Sequence, residues 1–198
     1  MLEKKEVIVG LDISSSVIGI SFFDSTMKLI SLQAIKFKKE KLETYENYFN
    51  KITFFEKEIE KISNIQQFNI KEFRVEANAK AFAAHSTTAH TLFTLAKINA
   101  MICFSIWKKF PNAKIKEIQV SSARKNIGFK PEKSNKLSKT KSKKIKDQVF
   151  DFVLESQKEV IKFLPKKILK AGPNKGKEVY EEHAKDMIDA YVIAKGGK

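Results

Sequence analysis

The hydrophobic pattern opens on a short, almost unbroken apolar run, Val7-Ile8-Val9-Gly10-Leu11-Asp12-Ile13, interrupted near its end by an acid. A strand buried on both faces reads this way, because neither face needs polar side chains. Ser14-Ser15-Ser16 makes a turn, 17–23 a second strand and Asp24-Ser25 a second turn. The alternation over 28–37 then completes a three-stranded meander. Over 41–62 the period changes: Tyr45, Tyr48, Phe49, Ile52, Phe55, Ile59 and Ile62 recur at helical spacing, with Glu and Lys on a solvated face. Residues 73–76 predict a short strand closed by a second acid, Glu76. A long helix rich in Ala, Leu, Ile and Phe is expected over 81–110 and a fifth strand over 116–120. Ser121-Ser122 is expected to cap a short helix that stops at Gly128, and further helices are expected over 141–163 and 180–195. The order βββ-α-β-α-β-α-α, with the short helix left aside, describes an α/β domain with helices packed on a mixed sheet.

The length, 198 residues, fits one domain spanning 1–198. Hydrophobic residues make up 42% of the chain, which supplies a core and argues against disorder. No apolar run approaches the ~20 residues of a membrane helix. The first residues carry Glu3 and Glu6 and lead straight into a strand, so no signal peptide is expected. The one cysteine, Cys103, excludes an internal disulfide and a cysteine-based zinc cluster. Its apolar neighbours read as a buried thiol in a reducing compartment, so a cytoplasmic place is expected.

Charge narrows the choice of partners. Lys and Arg number 38 against 23 acids, a formal net charge of +15, and the first candidate for an anionic partner is nucleic acid. The excess is concentrated: 124–146 holds ten Lys or Arg and one acid, Glu132. With Gly128, Pro131 and several serines it reads as a flexible basic loop, and 165–177 as a second. Such loops neutralise phosphates without reading sequence. The Lys-, Ile- and Asn-rich usage also fits a biased genome, so charge alone does not decide.

Carboxylates carry the candidate chemistry. Asp12 and Glu76 close apolar strands, and ligands in open α/β sheets gather at the carboxyl ends of strands. In the last helix Asp186 and Asp189 are one turn apart on one face, beside Ala190 and Ile193, which places them against the sheet rather than in water. Like charges there are costly unless a cation neutralises them. All-oxygen ligands suit Mg²⁺ or Mn²⁺, and two such ions form the clamp used in phosphodiester hydrolysis. Taken singly, a strand-end Asp is usually a cap and a helical Asp-x-x-Asp a solvated face. The four together, in this order, favour a metal site.

These residues resemble the RuvC-type Holliday-junction resolvases of the RNase H-like superfamily. The likeness is carried by Gly10-Leu11-Asp12-Ile13-Ser14-Ser15-Ser16-Val17-Ile18-Gly19 and by Val75-Glu76 followed by a long helix. It continues through Lys146-Asp147-Gln148-Val149 after a basic loop, and through Asp186-Met187-Ile188-Asp189-Ala190-Tyr191 in the closing helix. It covers nearly the whole chain. The resemblance implies an RNase H-like α/β fold, a five-stranded mixed sheet flanked by helices. It also implies a homodimer joined through the helix after Glu76, and paired symmetric nicking of four-way DNA. Asp12, Glu76, Asp186 and Asp189 would be the catalytic acids and would hold two Mg²⁺ or Mn²⁺ ions per site. Lys146 would contact DNA, with Lys144, Lys143, Lys141, Arg124, Lys125 and Lys130 of the same basic segment. Ser14 and Ser15 stand where Pro-Gly is common. Ala79 stands where the family has an aromatic wedge, which leaves Phe82 as the nearest aromatic for the DNA. The long basic loop looks like that of a phage or viral member, which would act inside its host cell.

His183, one turn before Asp186, reads either as a neighbour of the metal ligands or as a partly exposed helix histidine. His85 and His90 read as packing or surface residues, Trp107 as a core or dimer-interface anchor, and Arg74, Lys80 and Phe82 as residues that face DNA. Three rival functions remain open. An actin-like kinase shares the opening strand–Asp–Gly pattern, but the chain has seven glycines and no second phosphate loop. A non-catalytic nucleic-acid module explains the charge but not four buried acids. A nuclease for RNA–DNA hybrids, flaps or transposon ends explains the acids but needs no dimer.

Overall fold

The computed structural model describes residues 4–38, 44–77, 89–132 and 144–197. Strands β1 (Lys5–Ile13), β2 (Val17–Asp24) and β3 (Leu29–Lys36) form the antiparallel meander. Helix α1 (Tyr45–Ile65) leads to β4 (Phe68–Glu76), and α2 (Ala89–Lys109) to β5 (Lys114–Ile118). The sheet order is β3-β2-β1-β4-β5, with β4 parallel to β1 and β5 parallel to β4. Helices α3 (Val120–Asn126), α4 (Ile145–Ser156) and α5 (Ala184–Gly196) complete the chain, with a hairpin of β6 (Lys166–Ile168) and β7 (Glu178–Tyr180) before α5.

Alternation along β1 divides the core in two. Val7, Val9, Leu11 and Ile13 pack with Phe55 and Ile59 of α1 and Ile98, Ile102 and Ile106 of α2. Gly10 and Asp12 face the other way, toward α5. There Ile188, Tyr191 and Val192 pack with Phe23, Leu32, Val149 and Val153. Two glycines let α5 come close. A Cβ on Gly10 would run into the Ala190 carbonyl, and one on Gly19 into the Asp186 carbonyl. Ser21, opposite Gly10 in the register, donates from Oγ to the Ala190 carbonyl at 2.8 Å.

At its far end α5 is held by Arg74. The guanidinium donates to the Ala194 and Gly197 carbonyls and, from Nε, to Glu72 Oε1 at 2.6 Å. Burial raises the Glu72 carboxyl, but Arg74 and Lys116 together outweigh it and hold the group below its ordinary range. Arg74 is therefore a buried clamp and does not face DNA, as the sequence reading had it.

Four further expectations need correction. The segment expected to be helical over 141–163 breaks at Gln157. Its second part is a 3₁₀ turn at Lys158–Phe163 that buries Val160. The basic loop at 165–177 contains β6 and turns through Gly172 and Gly176, both at positive φ. Trp107 is 63% exposed and so is no core anchor. Finally, α2 is long and apolar enough, by composition, to cross a membrane, although no run in the sequence suggested it. In the fold it buries Ile98, Ile102 and Ile106 against the sheet. Cys103 is half-buried, and burial pushes its thiol up to about 11.

Candidate active site

Register brings the first two acids together. β1 and β4 run parallel with Leu11 beside Val75, so Asp12 and Glu76 end adjacent strands on the same edge and face. Their carboxyls are close enough for the ionisation of each to affect the other. Asn99 of α2 donates to the Glu76 carbonyl at 3.1 Å and fixes the strand end from the opposite side. The turn after Asp12 is built by Ser14: its Oγ accepts from the Val17 N–H at 3.0 Å and donates to the Val17 carbonyl. Lys51 of α1 holds the Ser15 carbonyl at 2.8 Å. The two serines thus supply an ordered turn where the resemblance leads one to expect Pro-Gly.

The close approach of α5 over Gly19 delivers the other pair. Asp189 is buried, Asp186 lies at the mouth, and both meet one ammonium. Lys146 Nζ, from the first turn of α4, lies 2.7 Å from Asp186 Oδ1, 3.1 Å from Asp189 Oδ2 and 3.6 Å from Asp12 Oδ2. Arg124 of α3 takes the other oxygen of Asp189, at 3.1 Å. Its approach depends on Gly196, where a Cβ would meet the Ala123 backbone.

Burial and the nearby Asp189 charge hold the Asp12 carboxyl well above its usual range, against the pull of Lys146. Burial likewise raises Glu76. Burial opposes the Lys146 charge, but Asp12, Asp189 and Asp186 together outweigh it and raise the ammonium above its ordinary range. The pocket is therefore short of positive charge even with Lys146 in it.

Among the described residues no three acidic, His or Cys side chains are already set around a point where an ion would sit. The Lys146 ammonium lies among three of the acids instead. The donor set nonetheless fits hard cations: four carboxylates, two of which burial and the Asp189 charge hold above their usual range.

The fold has known counterparts. T. thermophilus RuvC, solved in complex with Holliday junction substrate, matches 95% of this chain and 91% of its own with a TM-score of 0.54 and 9% identity. The yeast mitochondrial Holliday junction resolvase Ydc2 matches 99% of this chain and 79% of its own with a TM-score of 0.58 and 12% identity. The chain has the RNase H-like fold of these resolvases. At such identities the likeness is one of fold. No family model matches the sequence, and no curated protein does.

On this fold a cleft of about 700 Å³ opens beside the acids. Lys144 and Lys146, both expected from the sequence to contact DNA, line it. So do Lys36, Lys167 and Lys185, which the sequence reading missed individually because they come from three separate elements. Lys185 is paired with Asp147 and Lys36 with Glu181. His183 is on the same wall with its Nδ1 3.5 Å from Glu181, and burial lowers its pKa. It lines the same cleft as Asp186, and its ion-pair partner there is Glu181. Lys125, Lys130 and His90 are exposed on the surface. Phe82, Lys141 and Lys143 lie outside the described residues, as do Ala79, Lys80 and His85.

Proposed function

We propose that this chain is a divalent-metal-dependent endonuclease that resolves four-way DNA junctions by paired nicks, acting as a homodimer. The observation that carries the reading is the convergence of Asp12, Glu76, Asp186 and Asp189, from two strand ends and one helix, at the edge of an RNase H-like sheet. Junction DNA as substrate is supported by the two resolvases that share the fold. Two Mg²⁺ or Mn²⁺ ions held by these acids would supply the charge that activates a water and stabilises the leaving 3′-oxygen.

The protein's own groups do the rest. Lys36, Lys144, Lys167 and Lys185 line the approach and hold the phosphate backbone, which positions DNA without reading bases. Arg124 engages one oxygen of Asp189 and leaves the other toward the pocket. Lys51 and Ser14 keep the turn beside Asp12 from shifting as DNA binds. Paired cutting needs two sites, and the outer face of α1 and α2 offers a surface for a second copy. Tyr45, Phe49, Phe93, Phe104 and Trp107 are all exposed there. An apolar face of this kind marks an interaction surface.

The test is one gel. Labelled four-way, flap, RNA–DNA hybrid and linear substrates are incubated with the protein in Mg²⁺ and in EDTA. Paired cuts in the four-way substrate, dependent on Mg²⁺, are expected. Preferred cutting of the hybrid would move the chain to another nuclease class, and no metal-dependent cutting of any substrate would end the proposal.

A further inference from the structure

The acid pocket holds a cation that belongs to the chain. Lys146 brings one ammonium within 3.6 Å of three carboxylates from two different elements. Those are oxygens that the proposed function assigns to divalent ions. An ammonium and a doubly charged ion cannot share one set of carboxylate oxygens, because at a few ångströms in a poorly solvated pocket their repulsion is large. One has to leave. Lys146 is built to leave: its side chain is 40% exposed, and it reaches in from the first turn of α4 along the wall of the 700 Å³ cleft.

The cleft also shapes where the ammonium goes. Two acids on its wall are already engaged, Asp147 by Lys185 and Glu181 by Lys36. The other cleft-lining acid outside the pocket is the exposed Glu182. A freed ammonium therefore arrives among Lys36, Lys144, Lys167 and Lys185, on a wall suited to a phosphate.

We infer that Lys146 is the resident counter-ion of the metal-free pocket, and that divalent ions load by displacing its ammonium into the cleft, where it is delivered to a DNA phosphate. Loading and DNA engagement are thereby linked through one side chain. This inference rests on the acids being the metal ligands, but not on what the loaded site cuts.

Two measurements test it without any cleavage assay. In the wild-type protein, acetic anhydride labelling read by mass spectrometry follows Lys146 directly. Its modification is expected to be several-fold faster in Ca²⁺ than in EDTA, while exposed Lys125 is unchanged. Mn²⁺ titration by calorimetry compares wild type with Lys146→Met, which keeps the stem and removes the competitor. The variant is expected to bind Mn²⁺ on the order of tenfold more tightly. It should also melt lower than wild type in EDTA, because its acids lose their counter-ion.

Equal Lys146 labelling with and without ion, or unchanged Mn²⁺ affinity in the folded variant, overturns the inference. If the variant does not fold, the wild-type labelling alone decides. Displacement without cutting of any substrate would leave this inference standing and remove the nuclease reading. Cutting with Lys146 unmoved would do the reverse.

Discussion

Asp12 is 7% exposed and sits between Glu76 and Asp189, so burial and then repulsion favour its protonated form. Its folded pKa lies above its unfolded one. Between the two values the folded state binds more proton, so stability falls as pH rises through that window. At neutral pH without a divalent ion, the Asp12 charge therefore opposes folding. Asp12→Asn keeps the size and removes that charge. In EDTA at pH 7 the variant is expected to melt about 3 °C higher, which corresponds to roughly 1 kcal/mol for a domain of this size. Nicking should fall at least ~100-fold, since one candidate metal ligand is lost. Junction binding, which the proposed function assigns to the lysine wall, should be unchanged. A variant that melts like the wild type and still nicks junctions would remove Asp12 from the site.

At the scale of elements, the site depends on how closely α5 lies on the sheet, and Gly19 sets that distance. Gly19→Ala places a methyl where the Asp186 carbonyl is, and that carbonyl is backbone that cannot rotate away. The helix has to shift, at an overpacking cost of about 1–3 kcal/mol. The expected outcome is a folded protein with a lower melting temperature, unchanged junction affinity and strongly reduced nicking. Full activity would show that the acids tolerate displacement.

This dependence shows what the sequence makes legible. The strand-closing acids could be read, because a carboxylate ending a doubly buried strand breaks the apolar period. The inward face of α5 could also be read, because Ala190 and Ile193 flank Asp189. The spacing of α5 from the sheet could not be read: one glycine among apolar residues looks the same whether or not a helix crosses it. The end of α4 at Gln157 was equally hidden. Val160, Ile161 and Phe163 prolong an apolar pattern, and no Gly or Pro marks the break. A tertiary contact accompanies it, with the Tyr191 hydroxyl donating to Gln157 Oε1 at 3.0 Å. The resemblance marked Lys146 as a DNA contact, whereas its place among the acids follows from the packing of α4 on α5.

For the whole molecule, the proposed pairing of two nicks calls for a second copy of the chain. The outer face of α1 and α2 carries a groove of about 440 Å³ lined by Phe49, Ile52, Met101 and Phe104, and Trp107 packs beside Phe104 with ring centroids 5.8 Å apart. Phe104 and Trp107 are each more than 60% exposed, so a charge placed there costs the isolated chain little but is expensive inside an apolar interface. The double variant Phe104→Glu, Trp107→Glu should therefore melt within a few degrees of wild type and sediment as a monomer where wild type sediments as a dimer. Its pockets are intact, so it should still nick. On a supercoiled plasmid with an extruded cruciform, wild type should yield linear DNA by two cuts in one encounter, and the variant nicked circles by one. If wild type sediments as a monomer with and without junction DNA and still yields linear plasmid, the pairing of cuts does not come from this face.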